Sequence, residues 1–274
     1  MTRVIAVSRL VYGYAHPRMR TKLTALIAAC CTLAVGVTAV QAAPIPVAQY
    51  TFATQGDVSA FTNASTGGGK CAKKWRNQMA LGVTLGAGTN SCVLRTSVVA
   101  DSSDLAPDQI ISAVVSLGQG GSAKLRNKAY QGVAVRQSDT AGYELRVFPV
   151  AKKWQVYRDP KGTGAAVLLA AGSGNFIRSG AESRLAPKQG AGDKQGVQGA
   201  KSNNIALRAF DFGGASTSLV ATINGRNVLT NTDSGMDQPD GRRSAVTAGV
   251  KGTAAGTGIV GVFDDVTVQV PNPF

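Results

Sequence analysis

Five side chains in the middle of the chain have the types and spacing to grip a sugar or a carboxylate: Arg136, Glu144, Arg146, Tyr157 and Arg208. Arginine presents a planar fork of donors that matches a carboxylate, and a tyrosine ring offers a flat surface for a sugar to stack on. Glu144 and Arg146 stand two residues apart, so an extended backbone puts them on one face. A second group, Lys73, Lys74, Trp75 and Arg76, crowds against Cys71 and reads as a basic loop with an aromatic inside it. That loop is either a binding element for an anionic polymer or a solvated turn whose Trp75 plugs an edge of the fold.

The elements that must position these residues alternate with period two. In 142–149, Tyr143, Leu145 and Val147 fall on one side of a strand while Glu144, Arg146 and Phe148 fall on the other. Similar runs at 44–54, 80–85, 92–99, 109–117, 130–136, 153–158, 166–170, 204–210, 218–224, 227–232, 245–250 and 258–270 are separated by Gly, Pro, Asp and Asn. Short strands with turn residues in every gap predict an antiparallel β-sandwich of the jelly-roll kind, and no stretch past the N-terminus carries a helical stripe. Asn224-Gly225 between two alternating runs is a hairpin signal. Residues 178–202 are too poor in apolar side chains to offset their ordering entropy, so a flexible surface insertion is expected there.

Arg18, Arg20 and Lys22 precede an apolar run over 23–40 and small residues near 42, the pattern of a secretory signal over 1–42, with Met19 a candidate true start. One domain over 43–274, secreted to the extracellular space or the cell envelope and with no membrane span left, is therefore expected. Removing 1–42 takes away five basic side chains and no acidic ones, leaving a net charge of +9, together with His16, Cys30 and Cys31. Cys71 and Cys92 remain, and an exported protein makes them a disulfide. The closed loop is worth on the order of 3 kcal/mol by chain entropy.

The same subtraction limits the chemistry. Without histidine or a free thiol there is no Ser-His or Cys-His nucleophile and no conventional zinc site. Asp101 with Asp104, or Asp233 with Asp237 and Asp240, supply the oxygens calcium takes, but neither set has the spacing of a defined calcium loop. No cofactor is expected.

The ordered set Gly132-Val-Ala-Val-Arg136, Gly142-Tyr-Glu-Leu-Arg-Val147, Trp154-Gln-Val-Tyr-Arg158, Asn204-Ile-Ala-Leu-Arg208, Ala221-Thr-Ile-Asn-Gly225 and Gly258-Ile-Val-Gly-Val-Phe-Asp-Asp-Val266 resembles concanavalin A-like lectin/glucanase domains of laminin-G or jelly-roll type. The resemblance implies the fold and leaves lectins, hydrolases, lyases and adhesion modules open. A glucanase of this kind needs a Glu-x-Asp-x-Glu strand, and past residue 42 the chain has only Glu144 and Glu182. Tyr143-Glu-Leu-Arg146 is similar to a strand of jelly-roll alginate lyases, whose histidine-bearing partner strand is missing. The expectation is a non-enzymatic sandwich that binds a polysaccharide or anionic cell-envelope polymer, with no nucleic acid as partner. A lyase or hydrolase with an unrecognised site, and a structural or adhesion domain, are the alternatives.

Overall fold

The computed structural model describes residues 44–64, 71–76, 80–99, 108–118, 121–139, 141–159, 165–179, 202–211, 216–235, 237–252 and 258–270. The expected signal segment, nearly all of the expected insertion, and Asp101 and Asp104 lie outside them. In chain order the elements are β1 (Ile45–Tyr50), α1 (Gln55–Ser59), β2 (Phe61–Asn63), β3 (Cys71–Arg76), β4 (Ala80–Leu85), β5 (Ser91–Val99) and β6 (Gln109–Leu117). Then come α2 (Ala123–Lys128), β7 (Ala129–Gln137), β8 (Gly142–Phe148), β9 (Lys153–Asp159) and β10 (Val167–Ser173). The chain closes with β11 (Asn203–Asp211), β12 (Thr217–Ile223), β13 (Arg226–Asp233), β14 (Arg243–Val250) and β15 (Val260–Val270).

Two antiparallel sheets form the sandwich. The first runs β13-β12-β11-β6-β15-β4-β3, and β1 takes over the edge of β15 where β4 ends. The second runs β10-β9-β8-β7-β14-β5-β2. Alternation decides which side chains go between them: Tyr143, Leu145 and Val147 of β8 join Val133, Val246, Leu207, Ile111 and Phe263 in one core cluster. Leu145 is fully buried, so truncating it to alanine costs about 2–5 kcal/mol. The Cys71–Cys92 disulfide joins β3 of the first sheet to β5 of the second, with Cα atoms 5.8 Å apart, and so staples the two layers.

The hairpin between β12 and β13 turns at Asn224 and Gly225, both at positive φ (52° and 77°), as the Asn-Gly pair requires. The two helices were not anticipated. They have five and six residues, too few turns to show a stripe, and α2 is set locally by Ser122, whose hydroxyl accepts from the Leu125 amide at 3.3 Å. No helix among the described residues is long and apolar enough to cross a membrane.

Candidate functional site

Of the five central residues, the structure brings three together. Glu144, Arg146 and Tyr157 share the outward face of the second sheet, because their neighbours Tyr143, Leu145 and Val156 point into the core. Register completes the face. Glu144 lies opposite Tyr157 on β9 and Ala134 on β7, and Arg146 opposite Gln155 and Gly132. On β14, Thr247 sits opposite Gly132 and Gly249 opposite Tyr130. Glycine is needed at 249: a Cβ there would come within 2.4 Å of the Tyr130 ring, which lies across that strand.

Arg146 is the centre of this patch. Its guanidinium carbon stands 4.3 Å from the centroid of the Tyr157 ring and 4.9 Å from that of Tyr130, so the cation is flanked by two aromatic faces. Its Nη2 donates to Glu144 Oε2 at 2.5 Å, and the Thr247 hydroxyl donates to Glu144 Oε1 at 2.6 Å. Tyr157 donates to the Gln155 side chain at 3.1 Å, and Phe148 packs on Tyr130 with centroids 5.5 Å apart. The Glu144 side chain is nearly covered (6%), whereas Arg146 keeps about a fifth of its surface in solvent (21%). Arg146 Nε has no hydrogen-bond partner among the described residues. That nitrogen is buried, so what the patch presents to solvent is the exposed fifth of the Arg146 side chain and the half-buried Tyr157 ring.

Charge on this face differs from the balance of the whole chain. Asp159 alternates with Tyr157 and Gln155 on β9, and burial, followed by the nearby Glu144, pushes its carboxyl up to about 6 although Arg146 pulls the other way. Burial works against the charge on Arg146, but Glu144, with Tyr130 and Asp159, together more than offset it and keep the guanidinium protonated. Burial raises the Tyr130 phenol above its ordinary value, and Glu144 adds to the effect. Two carboxyls therefore surround one guanidinium.

Arg136 and Arg208 are elsewhere, which corrects the expectation of one shared polar face. A register shift between β7 and β14 turns Arg136 into the left-handed region (φ 52°) and drives its side chain between the sheets, where it is 1% exposed. There Nη1 donates to Thr217 at 2.7 Å, and Nη2 stands 2.9 Å from Asp211 in an ion pair outside hydrogen-bonding alignment. Arg208 points outward from the first sheet, since Leu207 and Ala209 fill the core, and stacks 4.7 Å from the Phe210 centroid on the opposite side of the sandwich.

Lys73, Lys74, Trp75 and Arg76 belong to edge strand β3 rather than to a loop. Cys71 and Trp75 pack against the core, and Lys73 between them stays exposed; the three lie opposite Leu85, Leu81 and Val83 respectively. The Lys73 ammonium donates to the carbonyls of Val58 (3.1 Å) and Phe61, and Trp75 Nε1 to that of Phe52 at 2.8 Å. With Gln55, Val58 and Ser59, Lys73, Lys74 and Trp75 line an open cleft of about 470 Å³. Lys73 Nζ and Trp75 Nε1 are already bonded to backbone carbonyls, so Trp75 acts as an edge plug.

Asp233 is engaged by Arg158 Nη1 at 2.9 Å and by the Tyr143 hydroxyl at 2.9 Å. Among the described residues no group of three or more His, Cys, Asp or Glu could hold a metal ion. Sequence reading missed Tyr130, Gln155, Asp159 and Thr247. Gln155 and Asp159 were legible as alternating with Tyr157, whereas Tyr130 and Thr247 join only through strand register.

No family model and no curated protein matches the sequence. Among solved structures the chain is similar to a protein of unknown function with a galectin-like fold from Bacillus subtilis, at 12% identity and TM-score 0.51 over 83% of this chain and 98% of that one. It is similar to an endo-1,3-beta-glucanase from Streptomyces sioyaensis at 9% identity and TM-score 0.50, over 85% and 98% of the two chains. A carbohydrate binding module, CBM66, from Bacillus subtilis matches at 12% identity and TM-score 0.46 over 77% and 95%. At such identities the likeness is one of fold: the chain has the concanavalin A-like jelly-roll sandwich.

Proposed function

We propose that the protein is a secreted, non-enzymatic sandwich that holds a polysaccharide on the outward face of its second sheet. The carrying observation is Arg146, flanked by Tyr130 and Tyr157 and anchored by Glu144. A sugar stacks on the exposed part of Tyr157 while the remaining donors of Arg146 and the amide of Gln155 reach its hydroxyls. The rigid, pre-paired arrangement lowers the ordering cost of binding. The inter-sheet disulfide supports export to an oxidising compartment.

Local charge argues for a ligand without acid groups at the contact point, because Glu144 and Asp159 flank Arg146 and the exposed Lys153 on the same face only balances them. An anionic envelope polymer would be drawn by the chain's positive balance but held off at this patch. Titration calorimetry with neutral and uronate polysaccharides, at low and raised salt, tests this. Salt-resistant binding of a neutral glucan that Arg146→Ala abolishes supports the reading. Binding that salt removes and Arg146→Ala leaves intact defeats it.

One observation favours a hydrolytic reading instead. Asp159 is a diagonal neighbour of Glu144 across β8 and β9, and one of these carboxyls is pushed up to about 6 while the other is ion-paired with Arg146. An acid and a carboxylate on one face are what glycoside cleavage uses. Release of reducing ends from a neutral glucan, lost in Asp159→Asn, would establish it; no release would leave the binding role.

A further inference from the structure

We propose that one end of the sandwich is a docking face for a bilayer bearing anionic phospholipids, on which the protein rests by its turns without crossing. The inference stands without the glycan reading. The turns at 86–90, 118–128, 149–152, 174–179, 224–225 and 251–259 all lie at this end, where β4, β6, β8, β10, β12 and β14 finish. Hydrogen bonds tie them together. The Lys251 amide donates to the Lys128 carbonyl at 2.9 Å, the Gly174 amide to the Lys152 carbonyl at 3.1 Å, and the Asn224 side chain to the Phe176 carbonyl at 2.8 Å. Pairing of β11 with β6 and of β7 with β8 sets these groups side by side.

Charge is divided unequally between the two ends. Those turns contain no Asp or Glu, and with the strand residues beside them they expose Lys124, Lys128, Lys153, Arg178, Arg226 and Lys251. In sequence, 180–201 adds four basic residues against two acidic ones, so it does not cancel the excess. At the far end Asp139, Asp211 and Asp233 are met by Arg95, Arg136 and Arg158. An anionic partner is therefore drawn to one end of the molecule. Two observations choose a bilayer over a soluble polyanion. The cations come from turns of both sheets, so a surface meets them together, whereas a single polymer strand follows one row. Val150, 41% exposed at the β8–β9 turn, also lies three residues from the exposed Lys153. An apolar tip with lysines around it suits the boundary between headgroups and hydrocarbon.

Residues 42–274 form one compact unit that holds the whole described core, so this unit is the sample and the apolar run over 23–40 takes no part. Co-sedimentation with phosphatidylcholine vesicles, with and without phosphatidylglycerol, is the measurement. Binding is expected only to the charged vesicles and falls as salt is raised. Lys128→Glu and Lys251→Glu each weaken it about tenfold, because a reversal replaces an attraction with a repulsion. Arg243→Glu makes the same change of net charge at the far end, the length of β14 away, and leaves binding within about twofold. Val150→Leu raises and Val150→Ser lowers the partitioning about threefold each. No binding to charged vesicles, equal binding to neutral ones, or Arg243→Glu as damaging as Lys128→Glu overturns the proposal. Charge reversals that act while both Val150 variants change nothing overturn it too, and mark this end as a site for a soluble polyanion.

Discussion

Arg136 and Arg146 sit on neighbouring strands of one sheet, and each pairs with a carboxylate, yet their surroundings differ in kind. Arg136 is turned between the sheets by a backbone irregularity and meets Asp211 and Thr217, while its amide donates to Gln109 at 2.8 Å. Gln109 in turn donates to the Gly241 carbonyl at 3.0 Å, so the irregular backbone is answered, while Arg136 Nε and Nη2 are left to the ion pair without an aligned hydrogen bond. Thr217 also contacts Gln238, and Tyr143 links to Asp233 and Arg158, extending the network across both layers. Arg146 stays on the regular pleat, faces outward, and keeps about a fifth of its side chain in solvent. The same side chain thus serves cohesion where the strand breaks register and, in the proposed function, recognition where it does not.

Substitutions that separate cohesion from recognition test this contrast. Arg136→Met strands the Asp211 carboxylate at the mouth of the sandwich and is expected to cost about 3–5 kcal/mol, read as a fall in the urea midpoint. Glycan affinity of the fraction still folded should not change; a parallel loss of affinity would merge the two regions. The disulfide belongs with Arg136, since it too spans the layers. Cys71→Ser with Cys92→Ser is expected to lose about 3 kcal/mol, with calorimetric binding at the Arg146 patch intact. Tyr157→Ala reverses the pattern: binding weakens about three- to tenfold with the ring surface gone, while the unfolding free energy moves by about 1 kcal/mol or less.

Much of the sandwich could be read in advance because alternation and turn chemistry are local. The strand at 80–85 and the Asn224-Gly225 hairpin rest on a few consecutive residues each. The site was less legible because it depends on register, which pairs residues distant in sequence. Thr247 reaches Glu144 only when β14, β7 and β8 are aligned. Arg136 shows the limit of counting by twos: one extra residue at the bulge reversed its face, and nothing in Gly132-Val-Ala-Val-Arg136 marks that insertion. The stretch around Trp75 reads as a loop because its lysines suggest solvent, yet it is an edge strand whose exposed Lys73 bends its ammonium onto the carbonyls of Val58 and Phe61.

A further effect joins the two regions through pH. Asp159 has its carboxyl raised to about 6 from an ordinary 3.8, so between those values the folded chain holds a proton that the unfolded chain has released. Stability from this group is therefore undiminished below about pH 4, falls as pH rises towards 6, and stays reduced above it. With discount for its partial exposure, the penalty near neutral pH is on the order of 1–2 kcal/mol. Burial raises Asp108 in the interior network too, so the parent chain alone does not isolate the patch. Asp159→Asn does: its unfolding free energy should exceed the parent's at pH 7 and converge with it near pH 4 in matched urea titrations. The charge of the patch follows the same proton. Below pH 6 one carboxyl faces one guanidinium, the repulsion that holds off uronates is relieved, and their binding should strengthen in the parent but not in Asp159→Asn. Neutral glucan binding, which makes no use of that charge, should stay level across the same window.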